Sequence, residues 1–231
     1  MANVRELLGR LNQQTIRYDV GRGGIAELTN QDIAAALAFV EPGLGRELLE
    51  ACWWPDGAAL RRKQLRDQVL ALVQPELRRQ CRALEEARID VGIAKACIGW
   101  GGAATAEQAR ELERATARLE RAAAECWPRT TLESLPTLAQ AVIREIAHPN
   151  LCSDCEGRGH RVAGELVVAC IACSGHGITP MSDRKRAAAI GRDESTYRQT
   201  WRGVYQWLLV RMRDAESQAA AQLAAALSRA A

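Results

Sequence analysis

Apolar positions along this chain recur mostly at three- and four-residue intervals, which predicts a succession of amphipathic helices. Residues 3 to 14 form the first, ended by the glycine-bearing loop Asp19 to Gly24. Thr29-Asn30-Gln31-Asp32 supplies polar caps ahead of Ile33, Leu37 and Val40 on one face, and Pro42-Gly43 closes that helix. A helix from about Arg46 to Trp53 follows, then one from about Gly57 to Val73 whose Leu60, Leu65, Val69 and Leu72 repeat near the helical period. Pro75 reads as the start of a new helix rather than a kink, because its missing N–H is harmless in a first turn. That helix runs to about Ile98, where Gly99-Trp100-Gly101-Gly102 stops it. Thr105 to Cys126 is another, with Ala109, Leu112, Thr116, Leu119 and Ala123 as a narrow apolar stripe between alternating Glu and Arg, the pattern of a solvated arm of the same molecule rather than an intermolecular coil. Leu132 to Ile146 completes the helical run before His148-Pro149-Asn150.

Beyond Asn150 the pattern changes. LCSDCEGRGHRVAGELVVACIACSGHGI holds Cys152-x-x-Cys155, fourteen intervening residues and Cys170-x-x-Cys173, the ligand count and approximate spacing of a structural zinc site. Each pair is followed by Gly-x-Gly, Gly157 and Gly159 in one arm and Gly175 and Gly177 in the other, and glycine permits the positive φ angles that turn two thiolates toward one point. His160-Arg161-Val162 and Leu166-Val167-Val168, either side of Ala163-Gly164-Glu165, read as a two-stranded hairpin. So small a segment lacks the apolar groups to fold on burial alone, whereas a bound zinc ion is worth on the order of 10 kcal/mol in such modules. Four thiolates fill a tetrahedral ion, so one structural Zn2+ on Cys152, Cys155, Cys170 and Cys173 is expected, with His160 and His176 outside its shell. The remaining cysteines, Cys52, Cys81, Cys97 and Cys126, stand singly on helices and read as small core residues.

After Pro180, Ser182 or Asp183 can cap a helix through Ile190, Gly191 provides a turn, and Asp193 or Ser195 starts a second helix toward Met212. Ala187 four residues before the turn glycine and Tyr197 six after it suit a helix-turn-helix. The net charge of the whole 231-residue chain is only +3, too little to mark it as a polyanion binder, but residues 182–202 alone set six cations against three carboxylates. Tyr197, Trp201, Val204 and Leu208 make the inner face, leaving Ser195, Arg198, Gln199 and Arg202 for base edges while Lys185, Arg186 and Arg192 face phosphates. The expected partner is therefore double-stranded DNA. The tail from Ala215 to Ala231 continues as an Ala-rich helix with Leu223 and Leu227 in step.

The expected architecture is mainly α: an N-terminal helix and loop over 1–28, a helical body over 29–147, a small four-cysteine zinc ribbon with a short β-hairpin over 148–180, and a helix-turn-helix with a C-terminal helix over 181–231. The order of these elements, above all the paired Cys-x-x-Cys-x-Gly-x-Gly knuckles and the Arg-rich segment through Tyr197, Trp201 and Tyr205, resembles the lambda-type bacteriophage Q late-gene antitermination proteins. Thr29 to Phe39 and Gly43 to Val73 follow the family's helical region more weakly, and residues 76–126 do not match it, reading as a divergent or inserted helical hairpin. The resemblance implies a phage regulator that binds a DNA element near the late promoter and loads onto paused bacterial RNA polymerase through the fourth region of sigma and the beta flap. It then travels with the enzyme, suppressing pausing and termination. Self-association on DNA is left open.

Other classes fit less well. DnaJ-type cochaperones share the knuckles but usually carry four repeats and a J domain, of which His148-Pro149-Asn150 is only a near miss. An enzyme is not expected, since no carboxylate cluster, activated nucleophile or open metal position stands out, and Gly21 to Gly24 lacks the Lys-Ser/Thr of a phosphate loop. With a charged N-terminal segment, no membrane-length apolar run and unpaired cysteines, the expected location is the host bacterial cytoplasm, without membrane contact.

Overall fold

A computed structural model of the protein describes residues 3–12, 28–59, 62–99, 103–163 and 166–230. The expected loop from Asp19 to Gly24, the glycines Gly101 and Gly102, and Gly164-Glu165 of the hairpin loop lie outside the described residues. Helices dominate. In chain order they are α1 (Val4–Gly9), α2 (Asn30–Ala38), α3 (Leu44–Trp53), the single turn α4 (Pro55–Ala58), α5 (Arg62–Gly99), α6 (Ala106–Glu125), α7 (Thr131–Ala147), α8 (Asp183–Ala189), α9 (Glu194–Thr196) and α10 (Arg202–Ala230). Among the described residues, four short strands, β1 (Asn150–Leu151), β2 (His160–Ala163), β3 (Leu166–Ala169) and β4 (Ile178–Thr179), pair as two antiparallel two-stranded sheets, β1 with β4 and β2 with β3. No helix among the described residues is long and apolar enough to cross a membrane.

The chain packs as two compact units, one of Met1–Val69 with Leu135–Ala231 and the other of Leu70–Ser134. In the first, α10 is the central helix. Its Ala219, Leu223 and Leu227 meet Leu7 and Leu8 of α1, Ile33 and Leu37 of α2 and Leu49 of α3 in one continuous core. Gly45 lets α3 close on α10, since a Cβ there would overlap the carbonyl oxygen of Ala215. One buried carboxylate crosses this core: Glu216 accepts from Arg5 Nε (2.9 Å), Arg5 Nη2 (2.8 Å) and Trp53 Nε1 (2.9 Å), so its charge is matched where water is excluded. Beside it, burial and the charge of Glu216 push the Cys52 thiol up to about 12, an inert, half-buried core thiol.

The second unit is built on a helical hairpin with a thin core of Val91, Ala94 and Ala115, flanked by Leu112 and Leu119. Thr105 caps α6 through a reciprocal box with Gln108. Three expectations need correction here. First, α5 runs unbroken through Pro75: one lost backbone hydrogen bond does not stop a helix that buries Val69 and Val73 on one side of the proline and Ala87 and Val91 on the other. Second, the buried stripe of α6 centres on Ala115, with Ala109 and Ala123 exposed, because the thin hairpin core admits only a narrow face. Third, Cys81 and Cys97 are exposed rather than core residues.

Candidate metal centre and basic helical surface

The two cysteine pairs fold into a pair of matching loops related by an eighteen-residue repeat, and the main backbone hydrogen bonds of one have their counterparts in the other. Gly157 N–H donates to Cys152 O at 3.2 Å, and Gly175 N–H to Cys170 O at 3.0 Å. Each loop also closes on the other: Cys152 N–H donates to Gly177 O and Cys170 N–H to Gly159 O, both at 2.9 Å. Positive φ angles at Glu156 and Gly157, repeated at Ser174 and Gly175, turn the chain so that both thiols of a pair point inward. Gly159 and Gly177 are required twice over, by φ values of +77° and +73° and by crowding. A Cβ on Gly159 would overlap the Gly175 carbonyl oxygen, and one on Gly177 that of Gly157.

Cys152, Cys155, Cys170 and Cys173 are all buried, and their sulfur atoms lie within 4.8 Å of one another. The Cys152–Cys170 and Cys155–Cys173 Sγ separations are 4.0 and 3.7 Å. Disulfide sulfurs stand at about 2.0 Å, so these thiols are free. Thiolates around a tetrahedral ion at about 2.3 Å stand roughly 3.8 Å apart, close to these two separations. The donor set fits a metal ion in a second respect, because Gly159 and Gly177 N–H groups each point at a sulfur, Cys155 and Cys173, at 3.2 Å. Such donors stabilise sulfur that carries negative charge. Burial by itself raises the Cys155 thiol, but the Gly159 N–H and the neighbouring thiols outweigh it and bring it down to about 7. Cys173 goes the other way, pushed up to about 11 by burial and by the protons it shares with its neighbours. Four buried thiols gathered this closely could hold a metal ion with a ligand at each of its four corners. Among the described residues, no other group of His, Cys, Asp or Glu gathers in this way.

From the top of this centre the β2–β3 hairpin projects, paired His160 with Ala169 through Ala163 with Leu166. Its Val162, Leu166 and Val167, and the neighbouring Ile171 at 95% exposure, face solvent, so apolar burial does not hold the module together. At the base, β1 pairs with β4 (Asn150 with Thr179, Leu151 with Ile178) and brings the module's two chain ends side by side.

Just outside that base lies a buried ionic cluster. Glu145, near the end of α7, accepts from Arg186 Nε at 3.0 Å, Arg186 Nη2 at 2.6 Å and the Tyr205 hydroxyl at 2.9 Å. The Arg186 guanidinium also stands over the Tyr205 ring at 5.4 Å. Glu145 is 4% and Arg186 7% exposed. The bidentate carboxylate holds the guanidinium charged, raising it above the ordinary arginine value against the pull of burial. Arg186 therefore does not face phosphates as the sequence suggested: its fork is spent on Glu145, and α8 turns it into the core.

The other basic and polar candidates, Lys185, Arg192, Ser195, Arg198, Gln199 and Arg202, are all exposed. Ser182 caps α8 by accepting from Lys185 N–H, and Asp193 caps α9 by accepting from Thr196 N–H. Gly191 makes the turn between them at φ +67°. Ala187 and Tyr197 are buried where the two helices meet, with Tyr197 edge-on to Tyr205 at 5.8 Å. Between α9 and α10 the helix widens into a π-helical turn, Tyr197–Trp201. The wide turn keeps both of its aromatic ends buried while three consecutive residues, Arg198, Gln199 and Thr200, stay in solvent. Arg192 lies over Trp201 at 5.5 Å, while Arg198 and Arg202 reach back to Asp183.

Sequence reasoning missed Glu145, the π-helical turn and the β1–β4 base, and it named Tyr205 and Asp183 without the contacts they make with Glu145 and with Arg198 and Arg202. Only the π-helical turn left a trace, in the four-residue spacing of Tyr197, Trp201 and Tyr205, which outruns the α-helical period. No family model, curated protein or solved structure matches this chain.

Proposed function

We propose that the chain is a zinc-stabilised, duplex-DNA-binding regulator of transcription, acting as an antitermination factor of the lambda-type Q kind. It binds DNA near a promoter, loads onto paused RNA polymerase and suppresses pausing and termination. One observation carries the DNA-binding half: the four-cysteine centre leads directly into a pair of helices, anchored to α7 by the Glu145–Arg186 pair, whose exposed side is Arg- and Lys-rich and whose buried side is aromatic. In this reading Cys152, Cys155, Cys170 and Cys173 hold one Zn2+, whose role when bound is structural, since four thiolates leave no position for a reacting water. The α8–α10 segment is read as a helix-turn-helix. Lys185 and Arg192 attract phosphates, and Ser195, Arg198, Gln199 and Arg202 stand where a helix entering the major groove presents side chains to base edges. Arg186 positions α8 instead of touching DNA.

The antitermination half rests on the order of elements and the knuckle motif. Polymerase contacts through the fourth region of sigma and the beta flap belong to the same resemblance. No residue here is assigned to catalysis. The deciding experiment is transcription by host polymerase through a terminator, from templates with and without the protein's own promoter region, alongside salt-dependent binding to that duplex. Promoter-dependent read-through is the expected result. Salt-sensitive, sequence-selective binding with unchanged read-through reduces the reading to a DNA-binding regulator, and absence of duplex binding overturns it.

A further inference from the structure

The basic surface carries its own counter-charge. Asp183, in the first turn of α8, places Oδ2 3.5 Å from Arg198 Nε and 3.9 Å from Arg202 Nε, so one carboxylate oxygen serves two guanidinium groups four residues apart. Arg198 Nη2 pairs with Glu194 as well. The carboxylate sits beneath the arginines: its side chain is 19% exposed, theirs 59% and 53%. Two cations thus meet two carboxylates, while the outer edges of both guanidinium groups remain open. Neutral acceptors and anions see this arrangement differently. A guanine edge offers O6 and N7 without formal charge and can take an arginine that keeps its carboxylate behind it. A phosphate must approach a site already neutralised and is repelled by Asp183 itself, which removes much of the counterion-driven attraction of duplex DNA.

We propose that Asp183 holds Arg198 and Arg202 back from the phosphate backbone and reserves them for base edges, and so sets how far the protein prefers its own site over other duplexes. The proposal rests on the DNA-binding reading above. It makes Asp183 a specificity-determining residue although it need not touch DNA.

The test compares the zinc-loaded full chain, its Asp183→Asn variant and a Glu107→Gln variant, which changes net charge equally from an exposed position on α6. Binding to a random-sequence duplex and to a duplex selected by the unsubstituted protein is followed by fluorescence anisotropy across a salt series. For the random duplex, Asp183→Asn is expected to bind roughly 2- to 30-fold tighter, the range for releasing two exposed ion pairs. Its plot of log K against log salt steepens by about 0.9 for each arginine redirected to phosphate. Affinity for the selected duplex rises less, so discrimination falls, and Glu107→Gln changes nothing. The gain vanishes when Arg198→Ala and Arg202→Ala are added. Equal affinity and slope for Asp183→Asn and the parent protein overturn the proposal and leave the DNA-binding reading standing; so does an equal gain in Glu107→Gln. If no protein binds any duplex at low salt, both fail together. Asp183→Ser, equally at home in a first helical turn, carries the same expectations if the asparagine variant does not fold.

Discussion

Removing one partner of the Glu145–Arg186 pair is the most demanding test of this structure. In Glu145→Gln the side-chain shape is kept and an amide oxygen remains for the Tyr205 hydroxyl, but the guanidinium of Arg186 loses both its charge partner and one of two short hydrogen bonds. Its side chain is 8% exposed, so water cannot make up the loss. Leaving one charge of a buried pair unmatched costs about 3–5 kcal/mol. For a chain of this length that lowers the melting temperature by about 6–20 °C, at roughly 2–4 °C per kcal/mol. Arg186→Met strands the carboxylate instead and costs a similar amount. Carrying both substitutions removes both charges and fills the guanidinium's place with an apolar chain, so the double variant should lie within about 1–2 kcal/mol of the parent protein. The assay is a double-mutant cycle by thermal and urea unfolding, with zinc present throughout. Additive losses, the double variant falling by the sum of the singles, would refute the buried pair. A stable Arg186→Met variant whose duplex binding loses about 0.9 in salt slope would return Arg186 to the phosphate-facing role suggested by the sequence.

Three further expectations follow from the geometry. One equivalent of Zn2+ should bind, and chelation or Cys170→Ser should abolish the amide protection of residues 150–179 while most helical circular dichroism remains; protection that survives without metal would contradict a metal-held module. Gly159→Ala should cost about 1–2 kcal/mol for its positive φ and more for the overlap with the Gly175 carbonyl, weakening zinc binding at least about tenfold. Gly191→Ala, at a similar φ but facing open space, should leave zinc affinity unchanged, as competition with a chromogenic chelator will report. Hydrogen bonds from the Thr196 side chain and N–H hold the Asp193 carboxyl below its ordinary 3.8, so its cap is fully formed above that value and is lost as pH falls through the lower, folded one. Carbon-detected NMR titration should place its midpoint under 3.8, and Thr196→Ala should move it upward.

What could be read in advance was local. The knuckles were legible because ligand count, spacing and the following glycines all lie within a few residues, and the caps at Ser182 and Asp193 declare themselves for the same reason. The β2–β3 hairpin was visible from its run of β-branched residues. Contacts between distant residues were not. Glu145 meets Arg186 forty-one residues on, and Arg5 meets Glu216 at a separation of 211, and neither leaves a periodic signal. Arg186 shows the consequence, since its charge looks the same in sequence whether it faces solvent or a buried carboxylate. Pro75 misled for a different reason: proline's local cost is fixed, but the apolar face that outweighs it is spread over several helical turns.

The buried pair also explains how the four-cysteine module can matter to the helices that follow it. The module spans residues 150–179, its ends joined by β1 and β4, and the chain leaves that base through α7 on one side and α8 on the other. Glu145 and Arg186 tie those two helices together immediately outside it, and Tyr205 extends the tie into α10. Two features thus lie in series on one short path: four cysteines gathered at one end and a matched charge pair at the other. Neither alone would orient α8, because a seven-residue helix has little intrinsic stability and takes its direction from what it packs against. Together they hold Lys185, Asp183 and the first turns beyond Asp193 in place, and under the proposed DNA-binding reading the ordering cost of binding would be met during folding instead of being deducted from affinity.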